Sequence, residues 1–488
     1  MKTVKPNILW ICADQLRYDT LSVSGDPIVH TPNIERLSAM GVQFSNAFCQ
    51  SPVCAPSRAS FLTGRYPRTA RVRQNGQDIP TDEVTVPKIL TDNGYVCGLA
   101  GKLHISACHP SVCPVTERRI DDGYGVFKWS HQTMYAHEKN AWMVNDYTDW
   151  LLAQGITHDD HIREDCRFLH HGIASQYSQT HWCTDMALDF IGKATTLEKS
   201  WLFSVNYYDP HHQFDPPEDL LQKYANKLDE IALPKFTPGE LDNKPIFQRK
   251  DHTGAYDNPG HYAYTQMTDY DHKMIRAAYY AMIELLDTNI GRLLDDLEAR
   301  GILENTMIIF HSDHGEMLGD HGIYLKGPYF YEPAVRVPLI ISLPGKFQAE
   351  QVRDDLVELT DLAPTILEAC GIKPYAGMQG QSLLPTLTHG AAGTRDSVYC
   401  EYYNANIRHQ NPKAYLTMVR DARYKLVRSH GAVCGIGGEL YDLQTDPGEV
   451  NNLYGNAQHA AIQIEMLEKL TDRMAQTADP LPLRRANW

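Results

Sequence analysis

The chain has 488 residues, 43% of them hydrophobic and 22% charged, with a formal net charge of -15. Its length is about three times that of a typical domain and predicts one large domain plus a smaller one, and its ordinary composition excludes a disordered or fibrous chain. The acidic balance argues against a nucleic-acid surface, which needs clustered Lys and Arg, so an anionic ligand would require a local basic pocket.

In chain order, "MKTVKPNILWICADQ" passes from Pro6 through a short apolar run into Asp14 and Gln15, leaving no room for a signal core and cleavage site. No apolar stretch is long enough to span a bilayer, and the eleven cysteines lack the paired spacing of a disulfide framework or zinc knuckle. Together these predict a cytoplasmic protein without membrane or nucleic-acid partners. "HTPNIERLSAMGVQF" predicts a helix with Thr31 as N-cap, Pro32 first and Gly41 as its stop. In "SPVCAPSRASFLTG", a helix begun by Pro56 and Ser57 puts Cys54 at its N-terminus, where the helix dipole and Arg58 favour negative charge. An inert buried thiol is the alternative. "VPKILTDNGY" predicts a helix ending at Asn93 and Gly94, and "GYVCGLAGKLH" a strand ending at Lys102 and His104.

The chain from 106 to 178 is rich in His, Trp and Tyr, and that from 215 to 270 is irregular and rich in Pro; both insertions read as walls of a substrate pocket. His109, His131, His170 and His171 read as hydrogen-bonded surface or core residues rather than ligands. Between the insertions, the strand "WLFSVNYYDPHH" ends at Asp209, His211 and His212. A core helix then carries Ile283, Leu286, Ile290, Leu293 and Leu297 on one face, and the strand "NTMIIFHSDHGE" ends at Asp313 and His314. After Leu384, "LTHGAAGTRDS" marks a boundary between residues 1–385 and 395–488. Beyond it come two strands around a turn at Asp421 to Arg423, a strand in "ELYDLQTDPGEVNNL" and a closing helix. The terminal "PLPLRRANW" could pack on its own domain or on a neighbouring copy, which leaves a homo-oligomer open.

Continuous apolar strands separated by helices predict an α/β fold, a large mostly parallel sheet sandwiched by helices, followed by a small α+β domain with an antiparallel sheet. Such sheets bind ligands beyond the carboxyl ends of their strands, so the four strand-end clusters should converge. Asp14, Asp313 and His314 offer hard oxygens and an imidazole suited to one divalent cation, or else form a buried network without metal. Lys102, His104, His211 and Lys326 add cations and proton carriers. This set fits a metal-dependent hydrolase of a tetrahedral oxyanion ester, and spacing alone leaves sulfur or phosphorus open.

The segments "CAPSRASFLTGRYP", "GYVCGLAGKLH", "SDHGEMLGDHGIYLKGPYFYEPAVRVPLII", "ARYKL" and "ELYDLQTDPGE" resemble those of the formylglycine-dependent sulfatases, of the alkaline-phosphatase superfamily. The resemblance runs over nearly the whole chain and implies an alkaline-phosphatase-like fold and an arylsulfatase-like hydrolase of a small sulfated substrate. It implies that a formylglycine-generating enzyme oxidises Cys54 in its Cys-x-Pro-x-Arg motif. The hydrated aldehyde has one hydroxyl to attack sulfur and a second to expel sulfate. Asp14, Asp313, His314 and Gln15 would hold the metal with residue 54, and Arg58 would steady the nucleophile. Lys102 and Lys326 would grip sulfate oxygens, His104 would help deprotonate the gem-diol or collapse the hemiacetal, and His211 would protonate the leaving oxygen, with its neighbour His212 as the alternative.

Gln15 and His314 depart from the aspartate and asparagine found in many members. They bring Mn²⁺ into competition with the Ca²⁺ usual in the family, and resemble the phosphonate monoesterase and choline-sulfatase branches. The former replaces the sulfate-gripping Lys and His, so "GKLH" favours sulfate over a phosphonate monoester or phosphodiester. A binding protein with Cys54 left as a thiol is the non-enzymatic alternative.

Overall fold

The computed structural model describes residues 5–109, 111–113, 116–131, 145–157, 161–405, 409, 412–431, 436–484 and 486. Residues 132–144 of the first insertion, residues 1–4, and residues 485, 487 and 488 of "PLPLRRANW" lie outside the described residues.

The large sheet contains nine strands: β1 (Asn7–Ala13), β2 (Gly41–Phe48), β3 (Val96–Gly101), β4 (Val126–Trp129), β5 (Trp201–Tyr207), β6 (Thr306–Ser312), β7 (Arg336–Val337), β8 (Leu339–Ser342) and β9 (Gln351–Glu358). Their order is β4-β3-β5-β1-β6-β8-β2-β7, with β9 also paired to β2. From β4 to β6 every pairing is parallel, and antiparallel pairs enter only where β8 joins β6 and β2 and where β7 joins β2.

Burial on both faces explains the unbroken apolar runs. In β1, Ile8, Trp10 and Cys12 enter one core, whereas Leu9, Ile11 and Ala13 enter the other. The Asp269–Ala299 helix covers the second core with Ile283, Leu286, Ile290, Leu293 and Leu297, all fully buried. Each such side chain contributes about 1.5–3 kcal/mol on leaving water. A separate four-stranded antiparallel sheet, β10 (Val398–Tyr403), β11 (Tyr415–Arg420), β12 (Tyr424–Ser429) and β13 (Gly438–Asp442), packs on the closing helix Ala460–Gln476 through Met466 and Leu470.

Three local expectations need correction. Gly41 does not stop a helix: the Pro32–Ala39 helix ends at Met40, and Gly41 opens β2, where a Cβ would lie 2.4 Å from the Ile341 carbonyl oxygen across the sheet. Thr31 precedes that helix without capping it by its side chain; its Oγ1 instead accepts a hydrogen bond from the Ser22 amide at 3.0 Å. The insertions are also not irregular throughout: the second contains the Glu218–Ala225 and Ile246–Thr253 helices, and the first contains β4 and the Asp146–Ala153 helix. Among the described residues, no helix is long and apolar enough to cross a membrane.

Candidate active site

Parallel pairing sets the strand ends level. Ala13 of β1 lies opposite Tyr207 of β5 and Ser312 of β6, and Gly101 of β3 lies opposite Asn206. Asp14, Lys102, the segment after Tyr207, and Asp313 therefore leave the sheet beside one another. Gly101 has φ +101°, and a Cβ there would sit 1.9 Å from the Asn206 carbonyl oxygen, so this approach of β3 to β5 demands glycine. The wholly buried Cys54–Thr63 helix brings its first residue to the same edge. It starts at Cys54, after the extended Val53, rather than at Pro56, because Pro56 still falls within the first turn, where its missing N–H costs nothing.

The two central carboxylates divide their oxygens. Asp14 Oδ2 accepts from Lys102 Nζ at 2.5 Å and from Arg58 Nη2 at 3.3 Å, and Asp313 Oδ2 accepts from Arg58 Nε at 2.8 Å. Both Oδ1 atoms lie 3.8 Å from His314 Nε2, and His314 Nε2 lies 3.1 Å from Cys54 Sγ. Ligand atoms of Asp14, Cys54, Asp313 and His314 all fall within 4.8 Å of one another. His314 Nδ1 donates to the Gly315 carbonyl at 3.0 Å, which in the neutral ring leaves the Nε2 lone pair for this group. Arg58 also donates to the Lys102 carbonyl at 2.7 Å and so braces the helix against three strand ends.

Cys54 is surrounded by base and cation. Lys326 Nζ lies 3.2 Å and Lys102 Nζ 3.6 Å from its sulfur. Burial acts to raise the thiol, but Lys102, Lys326, His314 and His104 bring it well below its ordinary value. Burial and Cys54 likewise oppose ionisation of Asp14, yet Lys102, His211 and Arg58 hold it below the usual carboxylate range. Lys326 donates to Gln15 Oε1 at 2.5 Å and to His211 Nε2 at 2.8 Å, and burial followed by this ammonium depresses His211 to about 4. His104 is lowered by burial as well.

The ten residues assigned to the site from the sequence are thus brought together: Asp14, Gln15, Cys54, Arg58, Lys102, His104, His211, Asp313, His314 and Lys326; Asp209, from the same strand end as His211, instead holds the Thr180 hydroxyl. Gln15 is the member whose amide oxygen is already taken, by Lys326. Gln15 and His104 both have positive φ, 65° and 53°, which costs on the order of 1–3 kcal/mol each. The fold holds them there: Gln15 N donates to Asp313 Oδ1 at 3.1 Å, Tyr279 Oη donates to the Gln15 carbonyl at 2.6 Å, and His104 N donates to Glu117 Oε2 at 2.7 Å.

Glu316, Tyr279, Glu117 and His131 were not singled out as site residues. Glu316 accepts from the Gln15 amide and from the Leu325 N–H at 2.6 Å; its place in "SDHGE" was the available signal. His131 meets the His104 ring edge to face, with centroids 4.5 Å apart. His212 stacks on His211 at 4.1 Å, and Tyr256 and Tyr262 of the second insertion lie 6.0 Å from His212.

The Sulfatase family model matches residues 6–372, and the model for the N-sulphoglucosamine sulphohydrolase C-terminal region matches residues 319–476. An N-acetylglucosamine-6-O-sulfatase of Bacteroides thetaiotaomicron is 26% identical, covering 99% of this chain and 88% of that protein. An arylsulfatase of Clostridium perfringens is 28% identical, covering 96% of this chain and 94% of its own. Among solved structures, the phosphonate monoester hydrolase of Agrobacterium radiobacter superposes with a TM-score of 0.81 at 27% identity, covering 98% of this chain and 97% of that one. A family model spanning most of the chain, with sulfatases aligned over nearly all of it, means that the chain belongs to the sulfatase family and is a sulfuric ester hydrolase.

Proposed function

We propose that the enzyme hydrolyses a small sulfate monoester with residue 54 as nucleophile, after oxidation of Cys54 to formylglycine by a formylglycine-generating enzyme. The observation that carries this reading is the convergence of His314, Lys326 and Lys102 on the Cys54 sulfur, at 3.1, 3.2 and 3.6 Å. A group in that position meets positive charge on several sides, as a nucleophile and its developing anion require. Formylglycine supplies a hydrated aldehyde, with one hydroxyl for attack and a second for release of sulfate.

Asp14, Asp313, His314 and residue 54 suit a divalent cation, since two carboxylate oxygens and an imidazole nitrogen face the same group. Bound there, the cation would withdraw charge from the sulfate oxygens. Ca²⁺ is the assigned ion, with Mn²⁺ as competitor because His314 softens the donor set. Gln15 joins that set only by giving up its bond to Lys326. Lys102 and Lys326 hold sulfate oxygens, Arg58 orients Asp313 and the helix, and His104 serves the nucleophile. His211 is unprotonated at Nε2 while Lys326 donates to it. The negative charge of a bound sulfate ester offsets Lys326 and raises His211 toward the protonated form that can supply the leaving oxygen.

The catalytic unit is assigned to residues 1–385, with insertions near 106–178 and 215–270, and a C-terminal unit to 395–488. The cluster that Tyr399, Val419, Leu426 and Leu440 form with Met466 and Leu470 of the closing helix supports this division, while the other face of the sheet, with Val398, Cys400 and Met418, continues the large core. Tyr256 and Tyr262 make the second insertion the wall for the alcohol portion of the substrate. The free state of all ten described cysteines suits a reducing compartment, and on that ground the enzyme is assigned to the cytoplasm.

A second reading, hydrolysis of phosphonate monoesters or phosphodiesters, is favoured by the 27% identical phosphonate monoester hydrolase and by Gln15 and His314. Lys102 and His104 favour sulfate. Steady-state assays of 4-nitrophenyl sulfate and a phenyl phosphonate monoester, on protein co-expressed with a formylglycine-generating enzyme and supplied with Ca²⁺ or Mn²⁺, separate the two. Higher kcat/KM for the sulfate is expected; preference for the phosphonate would overturn the assignment. Lys102→Ala should lower kcat/KM for the sulfate roughly 100-fold and spare the phosphonate more, whereas equal losses would remove Lys102 from sulfate recognition.

A further inference from the structure

Beside the oxygen-rich group lies a second cluster of different chemistry. Ligand atoms of His104, Cys108 and His131 fall within 4.8 Å of one another. His104 and Cys108 are buried, and His131 is partly exposed. The Nδ1 atom of His104 is buried without a hydrogen-bond partner, a costly state for an imidazole nitrogen.

The backbone around these donors is fixed. Glu117 accepts the amide hydrogens of His104, Ile105 and Ser106 at 2.7, 3.0 and 3.3 Å, and the indole N–H of Trp129 at 3.1 Å. One carboxylate thereby pins both the loop carrying His104 and the end of β4, two residues before His131. Parallel pairing of Gly101 with Trp129 sets the two loops side by side.

We propose that His104, Cys108 and His131 form a second metal site, which takes Zn²⁺ and inhibits the enzyme while it is filled. Two imidazoles and a thiolate prefer a borderline-soft transition ion to Ca²⁺, and three protein ligands leave a fourth tetrahedral position for water. Binding replaces the thiol proton of Cys108, which leaves to solvent. Cys54 and His104 act on one another's ionisation, so an ion on this ring constrains the imidazole that serves the nucleophile. The inhibitory consequence rests on the catalytic role proposed for His104; the binding site does not.

Cobalt is the spectroscopic probe, because a thiolate ligand gives Co²⁺ an intense near-ultraviolet charge-transfer band. Titration of a Cys54→Ala parent removes the thiol at the catalytic centre from the measurement. One equivalent of Co²⁺ should produce the band, Cys108→Ser in that parent should abolish it, and His131→Ala should weaken binding at least about 10-fold. No band in the parent, or a band that survives Cys108→Ser, would overturn the site. In formylglycine-bearing enzyme with Cys54 as its precursor, Cys108→Ser should keep uninhibited activity and raise the zinc concentration for half-inhibition at least about 10-fold. Unchanged zinc inhibition would overturn the regulatory half. Sulfate-ester turnover without zinc tests the proposed catalytic function independently.

Discussion

The edge of the large sheet and the seam to the C-terminal sheet both bury several charges, and they differ in what those charges face. At the seam, cations and carboxylates answer one another. Lys425 Nζ meets Glu449 Oε1 at 2.7 Å and Glu332 Oε1 at 2.8 Å, while Glu358 accepts from Arg473 at 2.6 Å and Arg395 at 2.8 Å. At the sheet edge, Lys102, Lys326 and His314 also gather around one cysteine sulfur, and two carboxylate oxygens lie in the same group of ligand atoms. Burial of charge is common to both regions. What marks the site is a concentration of unlike chemical groups around a single reactive atom.

The strongest test of that distinction removes the atom. Cys54→Ala should lower multiple-turnover kcat at least about 10⁴-fold, because the nucleophile is lost while surrounding groups stay in place. Its cost to stability should be about 1 kcal/mol, as expected of a small buried substitution. Steady-state kinetics and urea unfolding on the same preparation measure both effects. Near-normal turnover would separate Cys54 from the reaction.

Lys425→Met probes the other region and should reverse the pattern. Burial opposes ionisation of Glu332, but Lys425, Arg420 and Arg336 hold it at about 2. Removing Lys425 leaves buried carboxylates short of a partner, and should cost about 3–5 kcal/mol while kcat per folded molecule is retained. Equilibrium unfolding and active-site titration check this pair of outcomes; a fall in kcat with unchanged stability would make the seam part of the site.

The sheet edge was legible because two-sided burial leaves a direct mark: β1, β3, β5 and β6 are unbroken apolar runs, each followed at once by residues with chemistry. That grammar by itself predicts that Asp14, Lys102, His211 and Asp313 meet. The seam left no such mark. Glu332, Lys425 and Glu449 are distant in sequence, and each alone reads as an ordinary surface charge. β4 was hidden for a related reason, since it has only four residues and exposes Val126 at its start. Losing β4 from the reading also loses His131, whose place beside His104 depends on the β3–β4 pairing. Tyr279 illustrates another limit: the face of its helix identifies core residues, but not that its hydroxyl reaches the Gln15 carbonyl.

Asp209 sharpens the comparison with a smaller effect. It follows β5 at the same sheet edge as Asp14, but its side chain is held by the Thr180 hydroxyl rather than by a lysine or arginine. Burial therefore dominates and raises Asp209 to about 6, opposite in direction to Asp14. A folded-state value above the unfolded value near 3.8 means that the contribution of Asp209 to stability is complete below that pH and is lost as pH rises through about 6. The loss amounts to about 2–3 kcal/mol by pH 8. Asp209→Asn keeps an acceptor for Thr180 and does not ionise, so its stability should fall less between pH 4 and pH 8 than that of the parent by roughly this amount. Urea unfolding across that range measures the difference. Parallel pH profiles would mean that a cation reaches Asp209 in solution and that the two carboxylates differ less than their surroundings indicate.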